Sequence, residues 1–548
     1  MAKLERGNYV ELLIPIIILS FFLIYPVTRV IVGGVLSSTS NPFQKILSDY
    51  PTQFAIAFTF SQAFISTIAS VMVGLPGALI ISRLDFKGKS LVRALIVVPF
   101  VLPPIAVVVG IIQMFGAYGI IDSFLMSLFH SSTSVFNISD GIVGIVLAHT
   151  FYNAPLVILL VSSSLERMNP EIEDAADMLG ANSIQRFKRI TLPQILPALS
   201  AAAILTFIFC FMSFPIVLAL GNDVYNTIEI LIWNSYKAGH LGLASSLALL
   251  QILITLTLAV VYLRLGRTRN QDVAPTSTIR TIRFTKYRYR EQGLILVYML
   301  SMLIFIGGPM ISIFRAAVYD PMLQQYTAKG LVYLFTSGTN GGLGFVINTL
   351  FYGFLATLLS IILGIPLAYA HKSEKRILPT LSSMMVLLPL GISSITLAYG
   401  LMEAIAVPLG LSLHPWPIIV IAQTIIGLPF TARALEISLN NIDPNILNQA
   451  DLLGASRFQR FFFVDVPLLL PGILVGAVFA FAMAIGDMTA TLLIAIPANY
   501  TVAVGVYKNL DVRKFVQAGA SALFLVIICV LAYLIMEKVS KGSTGSAL

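Results

Sequence analysis

This sequence predicts an all-α polytopic membrane protein of about 12 transmembrane helices, arranged as two parallel six-helix repeats. Three observations carry that prediction: a composition too apolar for water, twelve apolar runs of spanning length, and an internal repeat at half the chain length. Of the 548 residues, 57% are hydrophobic and 11% are charged, and the mean hydropathy is +0.90. Soluble domains are roughly a quarter charged, so this chain has too little charge to cover a water-facing surface. In a bilayer the relevant unit is a span of about 20 apolar residues.

Apolar runs bounded by charge or turn residues place the first six spans near 10–35, 56–82, 92–115, 141–163, 194–219 and 244–265. The second six fall near 293–314, 344–370, 380–409, 416–437, 468–495 and 515–536. Lys3 and Arg6 precede the first run as they would in a signal peptide. That run is longer than a signal core of roughly 7–15 residues, and so reads as a retained helix. Cys210 and Cys529 both lie inside apolar runs, where they read as small buried hydrophobes and build neither a disulfide framework nor a thiolate metal site.

Lys and Arg then set the orientation, because cytoplasmic loops carry their excess. With the N-terminus inside, 26 of the 34 basic residues fall on the cytoplasmic side. The outer side keeps 8: Arg29, Lys45, Lys237, Arg315, Lys329, Lys508, Arg513 and Lys514. Both termini are therefore expected in the cytoplasm. The formal net charge of +9 follows from topology, with no nucleic-acid partner called for. The basic stretch Arg280 to Arg290 reads as a juxtamembrane linker lying on anionic headgroups of the lipid bilayer.

The repeat is direct. Residues 148–197 and 422–471 match at 18 of 50 positions without a gap, at an offset of 274. Upstream, Gly74, Pro76, Pro99 and Gly110 match Gly364, Pro366, Pro389 and Gly400 at an offset of 290, so the first copy carries about 16 extra residues between its third and fourth spans. An even number of spans per unit makes the two copies parallel, which predicts a pseudo-two-fold axis along the membrane normal and a pathway between the halves. The expected division is 1–265 for the first repeat, 266–291 for a polar basic linker and 292–548 for the second repeat.

The most informative repeated segment lies in a cytoplasmic loop, where contact with lipid cannot explain it. It reads NPEIEDAADMLGANSIQRFKRITLP over 169–193 and DPNILNQADLLGASRFQRFFFVDVP over 443–467. Asn169 and Asp443 suit helix N-caps, with Pro170 and Pro444 in the first helical position. Gly180 and Gly454 fit the residue past a helix C-terminus, where positive φ is needed, and Asn182 and Ser456 suit caps of a second short helix. Each loop is thus a helix, a glycine turn and another helix, able to present a rigid helix to a partner below the membrane.

These loops resemble the signature of permease subunits of binding-protein-dependent ABC importers, a Glu-Ala-Ala triplet followed after three residues by Gly. Here the signature stands as Asp174-Ala175-Ala176 with Gly180-Ala181, and as Asn448-Gln449-Ala450 with Gly454-Ala455. The resemblance covers essentially the whole chain, as two permease domains fused in one polypeptide. Such a fused chain looks most like the ferric-iron and thiamine importers, a likeness supported by AHTFYNAP (148–155), FCFMSFPIVLALG (209–221) and AIGDMTATLL (484–493).

The resemblance implies the type I ABC importer permease fold in the cell membrane and a solute such as ferric iron or thiamine. It also implies loops that sit in grooves of two copies of a cytoplasmic ATP-binding subunit, and an extracytoplasmic solute-binding protein that delivers the solute. ATP-driven closure of the ATPase dimer would bring the coupling helices together and turn the cavity between the halves outward. The signature's acidic residue pairs with a basic residue of the ATPase. Asp174 supplies that acid with a shorter side chain and Asn448 does not, so the two contacts are expected to differ. The chain itself is expected not to be an enzyme. Its lone Gly88-Lys89-Ser90 has Arg83 where a phosphate-cradling loop needs glycine, and hydrolysis falls to the partner. No cofactor or resident metal is expected.

Two carboxylates fall within spans, where an ionisable group costs about 2.5 to 3.5 kcal/mol at mid-helix. Asp487 reads either as a pathway residue facing a cationic solute or as a group bonded to Thr489 or Thr491 that shapes a helix break. Its repeat mate is Ser213. Glu403, near the outer end of span nine, is the third candidate pathway residue. The five histidines are scattered without metal-ligand spacing, and His149 reads as a polar inter-helix contact. Trp233 and Trp416 read as interfacial anchors. The competing functional reading is a twelve-helix secondary transporter driven by an ion gradient. It shares the helix count and the repeat but has no use for two matched helix-Gly-helix loops, and a non-transporting scaffold has no reason to duplicate them.

Overall fold

The computed structural model describes residues 14–36, 48–222, 224–267, 282–283, 289–321, 323–338, 341–372 and 377–544. Eleven helices among them are long and apolar enough to cross a membrane, and a pair meeting at 96°, Ile377–Pro389 and Ser394–Ala406, makes a twelfth when taken as one span. Spans two, four, eight and ten are continuous helices over Tyr50–Arg83, Gly141–Glu166, Leu343–His371 and Trp416–Asn440. The 266–291 linker expected from sequence lies mostly outside the described residues. Its Ile282–Arg283 pairs in parallel with Leu84–Asp85, just past the end of span two.

The apolar runs conceal breaks. Span three is two helices, Lys89–Val101 and Pro104–Phe115, separated at Leu102 and Pro103. Prolines on both sides, which lack an N–H and crowd the preceding turn, account for the interruption. Span nine breaks between Gly391 and Ser394, after Pro389, and Ser393 caps the next helix by accepting from the Thr396 N–H at 3.2 Å. Spans five and eleven, expected as unbroken runs over 194–219 and 468–495, end at Phe211 and Gly486 and restart at Pro215 and Thr489. The breaks fall at equivalent places in the two halves. The insertion in the first copy holds a helix, Ile120–Phe129. Buried Asp122 organises it, accepting from the N–H groups of Tyr118, Val135 and Phe136 at 2.7, 2.8 and 2.7 Å.

Within each half the second, fourth and fifth spans pack on one another, two with four and five and, equivalently, eight with ten and eleven. The first span of each half crosses to the other: span one packs on spans six and nine, span seven on spans three and twelve. Matched glycines make these crossings possible. A methyl carbon at Gly110 would lie 2.5 Å from the Pro309 carbonyl oxygen, and one at Gly400 would lie 3.0 Å from that of Pro26. The repeated glycine is therefore the place where one half's backbone rests on the other's, the small-residue packing that lets helices approach in lipid.

Of the two tryptophans, Trp416 is exposed as an interfacial anchor should be, whereas Trp233 is 9% exposed. Phe214 meets its ring edge-on at 5.9 Å, so packing inside the bundle has replaced the interface there.

Gly110→Val should lower the melting temperature of the detergent-solubilised chain, by an overpacking cost of about 1–3 kcal/mol. Gly400→Val should do so less, because its neighbour is farther away. Thermal unfolding that leaves both variants as stable as the parent would show that these crossings are not close-packed.

Candidate functional site

Two places collect the sequence's candidate residues: the paired loops at one end of the bundle and a cavity between the halves. In the first loop Asn169 accepts from the Glu171 N–H at 3.0 Å and opens the helix Pro170–Met178. Gly180 sits at φ +80°, and the Ala181 N–H closes the turn on the Ala176 carbonyl at 3.0 Å. Asn182 and Gln185 then cap each other's N–H groups at 2.8 and 3.0 Å. The second loop repeats each step: Asp443 accepts from Asn445 at 2.9 Å, the helix runs Pro444–Leu452, Gly454 has φ +82°, and Ser456 pairs with Gln459. An L side chain at either glycine would be strained at such a φ.

Asp174 and Ala175 are exposed on the first helix while Ala176 is buried beneath them, and Gln449 is exposed on the second. Ala181, Ala450 and Ala455 are half-buried. Asn448 falls in the second helix with its side chain outside those described. Past the signature each loop raises an apolar tip into the open: Met178 and Leu179 are 88% and 89% exposed, and their mates Leu452 and Leu453 are 86% and 88%. Ile184 and its mate Phe458 extend the same surface. Exposed apolar groups clustered in this way mark an interaction surface.

What holds each loop to its bundle was not among the candidate residues. Glu173, buried beside Asp174, receives both Arg83 guanidinium nitrogens, at 2.5 and 2.7 Å, and the Thr191 hydroxyl at 2.8 Å. This bidentate pair ties the first loop helix to the end of span two. At the mate of Thr191 stands Asp465, which accepts from the Tyr369 hydroxyl of span eight at 2.9 Å and faces Arg460 at 3.8 Å. The signal was faint but present: Glu173 is three residues before Ala176, on the same buried helix face. Each loop then joins its span through a π-helical turn, Phe187–Thr191 and Phe461–Asp465. Pro193 and Pro467 follow two residues on and cannot donate to the carbonyls four residues back.

The cavity has a volume of about 310 Å³. All four helix breaks line it, through Leu102 to Pro104, Met212, Ser213 and Pro215, Ile392 and Ser394, and Gly486 to Thr489, with His149, Asn153 and Phe430 from the continuous spans. Asp487 stands at the end of its helix and not inside it, with φ −69° and ψ 112°. Its carboxylate accepts from the Ala490 N–H at 3.2 Å, the Thr491 N–H at 3.0 Å and the Thr491 hydroxyl at 2.8 Å. It thus shapes the break and also forms cavity wall. Ser213 lines the same cavity from the opposite half. Glu403 does not: it lies half-buried in the turn Met402–Ala406, within electrostatic reach of Arg29. His149 bonds Ser66 through Nδ1 at 3.1 Å. Both cysteines are buried free thiols, and no group of three or more His, Cys, Asp or Glu suited to a metal ion occurs among the described residues.

The family described as "Binding-protein-dependent transport system inner membrane component" matches this chain twice, over residues 67–271 and 356–543. The thiamine transport system permease protein ThiP of Escherichia coli K12 is 25% identical over 493 residues, 88% of each chain. The putative ferric transport system permease protein FbpB 1 of Haemophilus influenzae is 24% identical over 495 residues, 88% of this chain and 77% of that one. Among solved structures, a bacterial alginate ABC transporter in complex with an alginate pentasaccharide-bound periplasmic protein aligns with a TM-score of 0.43 and 16% identity. It covers 50% of this chain and 98% of that one.

Glu173→Ala should release the first loop helix, since removing one partner of a buried pair costs about 3–5 kcal/mol. Faster backbone hydrogen exchange over 170–178 measures the release, and the exchanged pair Arg83→Glu with Glu173→Arg should restore much of the protection. Unchanged exchange in Glu173→Ala would remove the anchor from consideration.

Proposed function

This chain belongs to the family of binding-protein-dependent transport system inner membrane components, and on that premise we propose how its parts divide the work of an ABC importer permease. The two halves, 1–265 and 292–548 about the linker 266–291, enclose the pathway in the membrane. The loops 169–193 and 443–467 each receive one copy of a cytoplasmic ATP-binding subunit, which places both termini in the cytoplasm. A solute-binding protein delivers its cargo on the far side. A thiamine-like solute or ferric iron is favoured by the likeness to the thiamine and ferric permeases.

The observation that carries the coupling role is the pair of apolar tips. Met178-Leu179 and Leu452-Leu453 stand exposed at mated positions, each beside a glycine turn that lets a partner approach. Burying one such Leu side chain contributes roughly 1.5–3 kcal/mol, so two tips supply a large part of a docking energy. The signature residues Asp174, Ala175, Ala176, Gly180 and Ala181, with Asn448, Gln449, Ala450, Gly454 and Ala455, form the contact around those tips. Asp174 offers a charge that Asn448 lacks, so the first contact is the more sensitive to salt.

Motion then has a rigid route. A push on the first loop helix passes through Glu173 to Arg83 and span two, and through the π-helical turn to span five. In the second half Asp465 and Tyr369 carry it to span eight. Both routes end at spans that wall the cavity or pack beside it, where Asp487 and Ser213 line the solute's path. Glu403, near the outer end of span nine, belongs to that path beyond the cavity.

Leu179→Glu combined with Leu453→Glu should abolish co-purification of the ATP-binding subunit and reduce uptake at least roughly tenfold, while the chain still accumulates in the membrane. Retained co-purification would refute docking at the tips. Asp174→Asn should raise the ATPase dissociation constant chiefly at low salt, whereas Asn448→Asp should tighten binding under the same conditions. Titration of the ATPase subunit onto the solubilised permease reads both.

A further inference from the structure

We propose that an apolar cleft between spans two, three and seven seats an acyl chain of one anionic phospholipid, its headgroup against Lys89 at the end of the bundle that carries the paired loops. Naming that leaflet as the cytoplasmic one rests on the permease reading, whereas the seat itself does not depend on it.

The cleft has a volume of about 400 Å³, walled by residues such as Ile81 of span two, Val92 and Ile96 of span three, and Leu296, Leu303 and Gly307 of span seven. Among the described residues Tyr298 is the one lining side chain with a hydrogen-bonding group, and its hydroxyl donates to the Val73 carbonyl at 2.6 Å. Such a space does not hold water. Leu296, Leu300 and Leu303 are exposed along it, so it opens on the lipid. The other half shows that the shared fold does not require this opening. At the repeat offsets Gly77, Ile81, Val92, Ile96 and Ile158 become Leu367, His371, Ser382, Val386 and Ala432, which border a space of only about 10 Å³. There His371 bonds Glu436 at 2.8 Å and Ser383 at 3.1 Å, and Arg433 donates to Glu436 at 2.7 Å. One half has closed the place with polar bonds, and the other has kept it open and apolar.

Size and charge select the occupant. A spanning helix is about 10 Å across and 30 Å long, several times too large for the cleft, whereas an acyl chain is narrow and flexible. Apolar walls alone discriminate weakly, because lipid is as apolar as they are, so the headgroup decides. Lys89, Val92, Arg93 and Ile96 lie three and four residues apart on one face of the helix Lys89–Val101. Both cations therefore stand at the end of the cleft. Glu166 engages Arg93. Lys89 feels the repulsion of Arg93 and the attraction of Glu166 and Asp85, and its ammonium has no hydrogen bond or ion pair among the described residues. Arg283 pairs its backbone with Asp85, just before this helix, and Lys87 and Arg290 are exposed at the same ends of spans three and seven. Five basic residues thus meet three acidic ones there, Asp85, Glu166 and Glu291. A basic rim over a gap between spans is the arrangement that binds anionic headgroups.

The test uses the full chain, co-expressed with its ATPase subunits, delipidated in mild detergent and offered equal parts of phosphatidylglycerol and phosphatidylethanolamine. Native mass spectrometry should show one phosphatidylglycerol retained per chain in preference to phosphatidylethanolamine. Lys89→Gln should reduce that preference about fivefold, the loss expected for one cation at a headgroup. Gly307→Phe should expel the lipid. A methyl carbon at Gly307 meets no atom within 4 Å, so the ring has room to enter the cleft, and thermal unfolding in detergent should be unchanged. Equal retention of the two lipids, a bound polypeptide in place of a lipid, a Lys89→Gln chain with the parent's preference, or a folded Gly307→Phe chain that keeps its lipid would overturn the proposal. Co-purification of the ATPase reads the permease assignment separately. A parent chain that captures no ATPase defeats that assignment, and with it the leaflet, whether or not lipid is bound.

Discussion

Everything in this bundle depends on the absence of water from the bilayer core, which obliges each backbone N–H and C=O to find a partner inside the protein. A continuous helix meets that demand by itself. A broken one does not, and this chain breaks four of its spans. The freed groups are met one at a time: the Tyr152 hydroxyl reaches the Leu102 carbonyl, Thr255 reaches that of Gly391 at 2.6 Å, Ser393 caps the helix that follows it, and Asp487 caps its own break. Because Tyr152 and Thr255 come from neighbouring spans, the breaks in spans three and nine can exist only where spans surround them. They converge on the interior, and the cavity is the space they leave. The carboxylate that looks costly as an intramembrane charge is thus a structural cap.

The two halves share a backbone plan but not its chemistry. Thr191 and Asp465 occupy mated positions at the foot of spans five and eleven. The threonine serves a buried glutamate from the loop helix, whereas the aspartate itself receives Tyr369. Glu173 has Leu447 as its mate, so the charged pair with Arg83 belongs to one side only. Thr255, which holds the break in span nine, has Cys529 as its mate, and the corresponding break in span three is held by Tyr152 instead. Duplication explains the common geometry. Divergence is visible wherever a buried polar atom could be satisfied by a different neighbour. The loop tips, which face outward, have instead stayed apolar on both sides.

Legibility followed the range of the interactions. Spans two, four, eight and ten were readable because twenty or more apolar residues in a row admit few other structures. The loop caps were readable because a cap and its target are two or three residues apart, as Asn182 and Gln185 are. The breaks in spans five and eleven were not, since Met212 to Phe214 and Gly486 to Met488 remain apolar enough to pass for helix. Arg83 could be counted as a loop charge but not paired, because Glu173 is 90 residues away. Asp487 was legible as an unusual residue, and its two proposed roles turned out to be compatible. Glu403 looked similar in sequence, yet it is not among the residues that line the cavity.

By itself the sequence determined the solvent, the number of spans, the parallel duplication and the helix-glycine-helix loops, since each follows from composition, periodicity or contacts a few residues long. Only the tertiary structure decided that the first span of each half crosses to the other, that Gly110 and Gly400 are the contact points, and that the four breaks face one cavity. Those outcomes depend on which distant backbone a given residue meets. In lipid, where apolar surface discriminates weakly between partners, that choice rests on close packing and on a few buried polar bonds, and neither leaves a periodic trace in the chain.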